Sequence, residues 1–391
     1  MRARCGAGAE ACRSARYEEG AWSYHTAVIG RDQGWIGGRR LASTHAVAAA
    51  GAARAVTPGA VGVAVGWFAL GAAIAWQALA PASAERFALV PLLAGLALFG
   101  LPHGALDHLV PARLGFAWAR RPLGLAVYLV AYAGLAAAYL GLWLVAPRIA
   151  FIGFLVATVV HWGQGDLRFL ELFARRRRVS VMGRATTIAL RGAIPIAVPV
   201  LAFPATAEGL LATATQALGV DAGTLDLSSS LVRASLLGAL ALTAVVYVAY
   251  AAKAWDSSRG LALDLGEIAL LVALFAFVPA YLAIGVYFML WHSFRHLVRL
   301  SMLRAEDARA IAAGRPWRPL LRLARDLVPI TLVALTFLAL LGAWAAPRMA
   351  GALDVVALSL VWISALTMPH LVVVALMDAA PSAETSVAPE P

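Results

Sequence analysis

Residues 122–146 read PLGLAVYLVAYAGLAAAYLGLWLVA, an uncharged apolar run between Arg121 and Arg148. A helix needs about 20 apolar residues to cross the hydrocarbon core of a bilayer, and this run is long enough. Similar runs recur along the chain, in which hydrophobic residues make up 62% of the 391 residues and charged residues 14%. A soluble core could not hide so much apolar surface, so the sequence predicts an integral membrane protein with many spans.

The pattern of apolar runs predicts an all-α, polytopic bundle of about ten transmembrane helices. The spans are expected near 59–80, 87–110, 122–146, 150–166, 184–203, 231–252, 264–279, 280–299, 326–346 and 352–377. The segment 205–230 is treated as a loop. Loops after the even-numbered spans hold clusters of basic residues, whereas those after the odd-numbered spans hold one or none. By the positive-inside rule, this alternation predicts a multi-pass protein of the cell membrane with both termini cytoplasmic.

The two ends of the chain differ from its middle. Residues 1–58 are rich in arginine, glycine and alanine, which predicts a basic, disordered extension before a transmembrane catalytic domain at 59–378 and a disordered tail at 379–391. The net charge of +11 comes almost entirely from arginine, since Lys253 is the only lysine, and we attribute it to base composition rather than to nucleic-acid binding. Both cysteines lie near the N-terminus, so neither a disulfide framework nor a thiolate metal site is expected.

Six of the eight histidines lie inside apolar segments, in four short motifs. They are His103 and His108 in PHGALDH, His161 in HWGQGD, His292 and His296 in WHSFRH, and His370 in MPH. All six lie late in even-numbered spans, which places them about 5–15 Å below the inner boundary of the membrane at the rise of an α-helix. A histidine in hydrocarbon is costly unless it has a partner, and several neutral imidazoles together suit a transition metal. The sequence therefore predicts a histidine-ligated metal site between helices near the cytoplasmic side.

The spacing within the motifs refines this prediction. His292 and His296 are four residues apart, on one face of a helix, so both can bind the same ion. His103 and His108 are five residues apart, about 140° around a helix axis, so they can hardly both point at one ion. We expect His103 to be the ligand. Asp107, one turn after His103, is expected to orient an imidazole, and two further acids lie near the same layer, Asp166 and Glu267.

Ligand type and surroundings together favour iron. A site of imidazoles without thiolate suits Fe(II), Cu, Ni or Zn. Aromatic side chains near the histidine layer predict an apolar pocket that could hold a long hydrocarbon, and this favours Fe(2+) chemistry with O₂ among these metals. The aromatic residues are Trp162, Phe275, Phe277, Tyr281, Tyr287, Phe288, Trp291 and Trp362.

Five motifs, in the same order over about residues 90 to 378, resemble those of a known family. PHGALDH, HWGQGD, RGAIPIAVPVLAFP from Arg191, YFMLWHSFRH and TMPHLVVVALMD resemble the Brp/Blh membrane family of bacterial and archaeal β-carotene 15,15′-dioxygenases. The resemblance implies Fe(II)-dependent cleavage of the central double bond of β-carotene by O₂ to two all-trans-retinal molecules, which usually supply a rhodopsin.

The resemblance also implies roles for single residues. It implies an iron site of His103, His161, His292 and His296. It leaves His108 and His370 as pocket residues or as partners that orient the ligands. The acids near the layer and the aromatic faces that could stabilise charge along a polyene are expected beside these histidines. The residues expected around the ligands are Asp107, His108, Trp162, Asp166, Glu267, Tyr287, Trp291 and His370.

Other classes of membrane protein also place histidines inside helices. A di-iron hydroxylase or desaturase of a lipid or carotenoid would require HxxHH-type clusters, which the sequence lacks. A b-type haem protein could use paired axial histidines. A non-enzymatic transporter could use a proton-relay histidine cluster, although few acids lie within the spans. A retinal-binding opsin is disfavoured, because Lys253 lies at a helix end.

Overall fold

The computed structural model describes residues 58–173, 176–177, 179–221, 223, 225–312, 315 and 317–379. The extension predicted for 1–58 and the tail predicted for 379–391 therefore lie outside the described residues, except for Pro58 and Ala379, which are helical. The described residues form helices and no β-strand, so the prediction of an all-α membrane bundle is confirmed.

The bundle consists of long helices with short connections. They are α1 (Pro58–Leu79), α2 (Leu89–Arg113), α3 (Pro122–Val145), α4 (Pro147–Phe173), α5 (Val181–Ala202), α6 (Pro204–Leu218), α7 (Ser230–Ala254), α8 (Ser258–Phe277), α9 (280–301), α10 (Ala305–Ala312), α11 (Trp317–Ala345) and α12 (Ala352–Ala379). Short helical segments at Pro81–Arg86, Ala117–Arg120 and Ala346–Arg348 join some of them. Prolines at the first positions of α3, α4 and α6 suit helix starts, where a backbone N–H is not needed.

Nine helices of the described residues are long and apolar enough to cross a membrane: α1 to α5, α7, α8, α11 and α12. The remaining predicted span, 280–299, corresponds to α9, which is helical throughout but carries His292, Arg295 and His296. These polar side chains are buried against other helices, so α9 can be less apolar than a helix that faces lipid.

Helix α6 lies mostly in the segment 205–230, for which the sequence predicts a loop. It is too short to cross a bilayer and ends at Gly219, whose φ of 71° is a left-handed conformation typical of helix C-termini. Because the helix is short and moderately polar, the pattern of long apolar runs does not predict it.

Burial separates central from peripheral helices. In the most apolar windows of α2, α4 and α12, 44% of residues are buried, and in α5 the share is 56%. The corresponding share is only 6% in α3, α7 and α11, whose side chains mostly face the surroundings. The histidine motifs thus lie on central helices, while α3, α7 and α11 form part of the outer wall.

Helices α4 and α5 pack with their backbones in close approach. A β-carbon at Gly163 would overlap the carbonyl of Ile188, and one at Gly192 would overlap the carbonyl of Val159. Small residues allow this close approach between membrane helices, where packing replaces the hydrophobic effect as the driving force. The contact places the His161 region of α4 directly against α5.

Helices α2 and α9 meet at two π-helical segments. Residues 96–100 of α2 and 288–293 of α9 are both π-helical and pack against each other. The ring of Phe288 fills the space beside Gly100. Such π-turns are rare and occur often at functional sites. In α2 the helix then breaks at Leu106, before a 3₁₀ turn at Asp107–Leu109.

Candidate metal centre and cavity

Five imidazoles meet in the interior of the bundle. They come from α2, α4, α9 and α12, and neighbouring ring centroids lie 4.8–6.5 Å apart. All five side chains are buried, with 3–6% of each residue exposed: His103, His161, His292, His296 and His370. The tertiary structure therefore brings together histidines that are far apart in the sequence.

The ring nitrogens of these histidines are close enough to share one ion. Nε2 of His161 lies 3.1 Å from Nε2 of His292. One ligand nitrogen from each of His103, His161 and His370 lies within 4.8 Å of the other two. Imidazole nitrogens bind transition metals at about 2.0–2.1 Å, so two of them on one ion lie at most about 4.2 Å apart, and the 3.1 Å pair falls within this limit.

Several of these nitrogens lack a hydrogen-bond partner among the described residues. They are Nδ1 of His161, both ring nitrogens of His296 and Nε2 of His370. Buried polar atoms are nearly always paired in proteins, so this group needs an explanation. A metal ion takes the lone pair of one nitrogen of each imidazole, so it would satisfy Nε2 of His370 and one nitrogen of His296, and the residues present therefore fit a metal.

The orientation of His103 is fixed by its own helix. Its Nδ1 lies 3.1 Å from the carbonyl of Phe99 and 3.4 Å from the hydroxyl of Ser293. A carbonyl only accepts, so Nδ1 carries the proton and Nε2 keeps a free lone pair. This is the state in which a histidine can bind a metal.

His108 lies apart from the five imidazoles. Its Nδ1 is 2.8 Å from the carbonyl of Ala105, and the side chain lines the wall of the cavity described below. The angle of about 140° expected between His103 and His108 assumed a regular helix. The break at Leu106 replaces that geometry. Both side chains line the cavity, but only His103 belongs to the cluster of five imidazoles.

Asp107 contacts His370 instead of His103. Its Oδ2 and Oδ1 lie 2.8 and 3.0 Å from Nδ1 of His370. The role of Asp107 in orienting a metal ligand stays a prediction, and the structure places its carboxylate against an imidazole of α12. The physical reason is the helix break at Leu106, after which Asp107 no longer lies one regular turn above His103.

Asp166 and Glu267 take part in a buried ion network rather than contacting an imidazole. Arg191 on α5 donates to Asp166 at 3.0 Å, to Glu267 at 2.9 Å and to Asp264 at 2.5 Å. Arg295 on α9 donates to Glu267 at 2.7 Å and to Asp166 at 3.3 Å. Paired charges are the form in which ionised groups are tolerated inside a membrane protein. The network ties α4, α5, α8 and α9 together beside the histidines.

No sequence motif assigns a site role to Arg295 or Asp264, and Arg191 is only the first residue of one motif. The available signal was the presence of charges inside otherwise apolar segments, which usually marks an interior position. Their partners could not be read from the sequence, because the charges lie on different helices.

An apolar cavity of about 260 Å³ lies next to the imidazoles. His103, His161 and His370 line it, together with apolar side chains of α2 to α6, α9, α11 and α12. Three of the expected aromatic residues line the wall: Trp162, Tyr281 and Phe288. The cavity thus combines a histidine cluster with a surface that suits a hydrocarbon.

The other expected aromatic residues lie elsewhere. Phe275, Tyr287 and Trp291 are fully buried in the core behind the cavity, where Nε1 of Trp291 donates to Asp166 at 2.9 Å. Phe277 is 70% exposed. Trp362 stacks on Phe337, with ring centroids 6.0 Å apart. Sequence spacing could not separate these positions, because residues on all faces of an interior helix are apolar.

Comparisons with known proteins agree on one family. A model of the β-carotene 15,15′-dioxygenase family matches residues 94–378, which include all five clustered histidines. The chain is 34% identical over 326 residues to the probable β-carotene 15,15′-dioxygenase Blh of Halobacterium salinarum, covering 81% of this chain and 92% of that protein. It is 29% identical over 220 residues to the probable β-carotene 15,15′-dioxygenase Brp of two strains of the same organism, covering 54% of this chain and 57% of Brp. No solved structure matches.

Proposed function

Since the chain belongs to the β-carotene 15,15′-dioxygenase family, we propose that this multi-pass membrane enzyme cleaves the central 15,15′ double bond of β-carotene with O₂ and gives two molecules of all-trans-retinal. The observation that carries the proposal is the cluster of buried imidazoles that opens onto an apolar cavity. A metal-binding group and a hydrocarbon-binding surface are the two parts that such a reaction requires.

The proposed metal is Fe(2+), held by His103, His161, His292 and His296. The donors are neutral imidazoles on three helices, and the described residues place no thiolate beside them. Iron bound there would supply the redox chemistry that lets O₂ react with a conjugated double bond. Oxidation of one double bond by one O₂ gives two carbonyl groups, so no further reductant is needed.

The protein's own contribution is to hold the polyene and to keep the imidazoles in place. Trp162 and Phe288 line the cavity, and their rings lie 5.7 and 6.1 Å from the ring of His292. They can contact an apolar substrate on one side and fix the imidazole on the other. Cleavage at the central bond then depends on how far the substrate extends past the histidines before the cavity wall stops it.

We propose that the carotenoid enters from the lipid phase between α3 and α11. Leu129 of α3 is 42% exposed and also lines the cavity, as do Ile330 and Ala334 of α11. Both helices belong to the outer wall of the bundle. A hydrocarbon with negligible solubility in water needs a route that stays in an apolar environment.

The proposed site of action is the cell membrane, with residues 59–378 as the catalytic domain and both termini cytoplasmic. Basic clusters at one set of helix ends support this orientation. They include Arg113, which pairs with Asp326 at 3.0 Å, and Arg304, which lies 3.7 Å from the same carboxylate. A rhodopsin that receives retinal is the proposed partner.

The test is expression of the full chain in a host that accumulates β-carotene. We expect loss of colour and the appearance of two retinal molecules for each carotenoid lost, measured by chromatography. His161→Ala at equal membrane abundance is the control and should leave the colour unchanged. Shorter or longer apocarotenals would contradict central cleavage, and hydroxylated carotenoid would favour a hydroxylase instead. If the folded, metal-loaded protein leaves β-carotene unchanged, β-carotene is not its substrate. That result would favour the alternative of a non-enzymatic transporter.

A further inference from the structure

His370 has the hydrogen bonding of a metal ligand. It lies on α12 directly after Pro369 and is 4% exposed. Its Nδ1 lies 2.8 Å from Oδ2 of Asp107. A carboxylate accepts this hydrogen bond, so Nδ1 carries the proton and the lone pair remains on Nε2.

The ring of His370 lies among those of the other histidines, and one of its nitrogens lies within 4.8 Å of ligand nitrogens of His103 and His161. Its ring centroid lies 4.8 Å from that of His161, 5.0 Å from that of His103 and 5.3 Å from that of His296. Nε2 is buried and has no hydrogen-bond partner among the described residues. If His370 only lined a hydrocarbon pocket, this buried nitrogen would stay unsatisfied, which destabilises the fold.

Asp107 is itself held by α3. The hydroxyl of Tyr132 donates to Oδ2 of Asp107 at 2.9 Å, and it lies 3.4 Å from the carbonyl of Leu366 on α12. The hydroxyl of Tyr128 donates to the backbone carbonyl of Asp107 at 3.1 Å. Tyr132 therefore holds the carboxylate that contacts His370, and Tyr128 holds the backbone of the same residue.

Resting on the proposed function, we infer that His370 binds the same metal through Nε2 as a fifth imidazole, and that Asp107 and Tyr132 are its positioning residues. The carboxylate–histidine–metal arrangement is a common way to orient a ligand and raise its basicity. This assignment extends the ligand set implied by the family resemblance, in which His370 is only a neighbour of the site.

The experiment measures metal binding rather than turnover. The full chain is purified in detergent, its metal is removed with a chelator, and Co(II) is titrated while the visible spectrum is recorded. Co(II) is a suitable probe because its spectrum depends on the number and type of ligands. Thermal unfolding of each metal-free protein checks that it is folded.

We expect His370→Ala to weaken Co(II) binding at least 10-fold and to change the spectrum of the bound ion. Asp107→Asn should weaken binding by about 10-fold, and Tyr132→Phe by a smaller factor, because each acts through His370. His108→Ala is the matched control, since it removes an imidazole that lines the same cavity but lies outside the cluster, and its affinity and spectrum should match those of the unmodified protein.

A second measurement separates a ligand from a packing residue. In His370→Gly, added imidazole can occupy the space of the lost side chain and should restore the spectrum of bound Co(II). If His370→Gly and Asp107→Asn bind Co(II) with unchanged affinity and spectrum, the inference is overturned while the proposed function stands. If His370→Gly loses Co(II) and imidazole does not restore it, the direct ligand role is likewise rejected. If the unmodified chain binds neither Co(II) nor Fe(II), the metal in the proposed function fails as well.

Discussion

Single residues decide which of the buried histidines can reach an ion. His103 donates from Nδ1 to its own helix and keeps Nε2 free, whereas His108 turns to the carbonyl of Ala105. Both lie in the motif PHGALDH, and both have the same side chain. Their difference comes from hydrogen bonding and from the break at Leu106, which a sequence motif does not display.

The comparison of these two histidines gives a direct prediction. His103→Ala should lose iron and activity, as should His161→Ala, His292→Ala and His296→Ala, because each removes a proposed ligand. His108→Ala should keep the metal, although turnover can change because His108 lines the cavity. Iron content of the purified variants measures this, with no haem absorption band expected in any of them. A metal-replete His103→Ala beside a metal-free His108→Ala would reverse the assignment.

Arg191 is the residue on which the buried ion network depends. It is fully buried and pairs with Asp166, Asp264 and Glu267. Arg191→Met leaves Asp264 without its arginine and leaves Asp166 and Glu267 with Arg295 alone. Removing one partner from a buried ion pair typically costs about 3–5 kcal/mol. We expect a much lower unfolding temperature in detergent and weaker metal binding, since α4 and α9 carry both network and ligands.

The matched control for Arg191 is an exposed ion pair of the same type. Arg177 and Asp256 lie 2.5 Å apart, with side chains 67% and 58% exposed. Exposed pairs contribute about 0–1 kcal/mol, so Arg177→Met should unfold close to the unmodified protein. Equal unfolding temperatures for Arg177→Met and Arg191→Met would mean that the buried network does not stabilise the fold.

At the scale of helices, the site depends on close packing between neighbours. The two π-helical segments place α2 and α9 against each other at the histidines, and glycines bring α4 against α5. Interiors of proteins are close-packed, so a helix that moves by a fraction of an ångström carries its ligands with it. Small residues far from the cavity are therefore expected to affect metal binding.

Gly192→Ala tests this dependence. The added methyl would overlap the carbonyl of Val159, so α4 and α5 must separate, at a cost of about 1–3 kcal/mol. We expect a lower unfolding temperature and reduced iron content. Gly134→Ala on α3 is the control, because no atom lies within 4 Å of the added methyl, and alanine suits a helix better than glycine. If the two variants behave alike, the close contact of α4 and α5 is not what holds His161 in place.

At the scale of the whole molecule, central helices carry the chemistry and peripheral helices meet the lipid. The share of buried residues is 56% in the apolar window of α5 and 6% in those of α3, α7 and α11. The five clustered histidines and the charged residues of the buried ion network lie on interior helix faces, where the charged residues find partners. This arrangement lets one chain combine a polar centre with an apolar surface.

Membrane orientation is the prediction that belongs to this scale. A reporter fused after Pro391 should be cytoplasmic, and one inserted near residue 220 should be external, because arginines cluster at the opposite helix ends. Alkaline phosphatase and fluorescent-protein fusions read the two sides independently. An external C-terminus would place the histidines on the far side of the membrane from the one proposed here.

The sequence by itself determined the all-α membrane class, the approximate bounds of the spans and the set of histidines worth considering. It could do so because the thickness of a bilayer dictates the length of an apolar run, and because histidine inside such a run is costly without a partner. Only the tertiary structure decided that five imidazoles meet, that Asp107 serves His370, and that Asp166 and Glu267 bind arginines. These pairings join different helices. Their geometry depends on helix rotation, on the break at Leu106 and on the two π-helical segments. All three features arise from packing between helices rather than from local sequence.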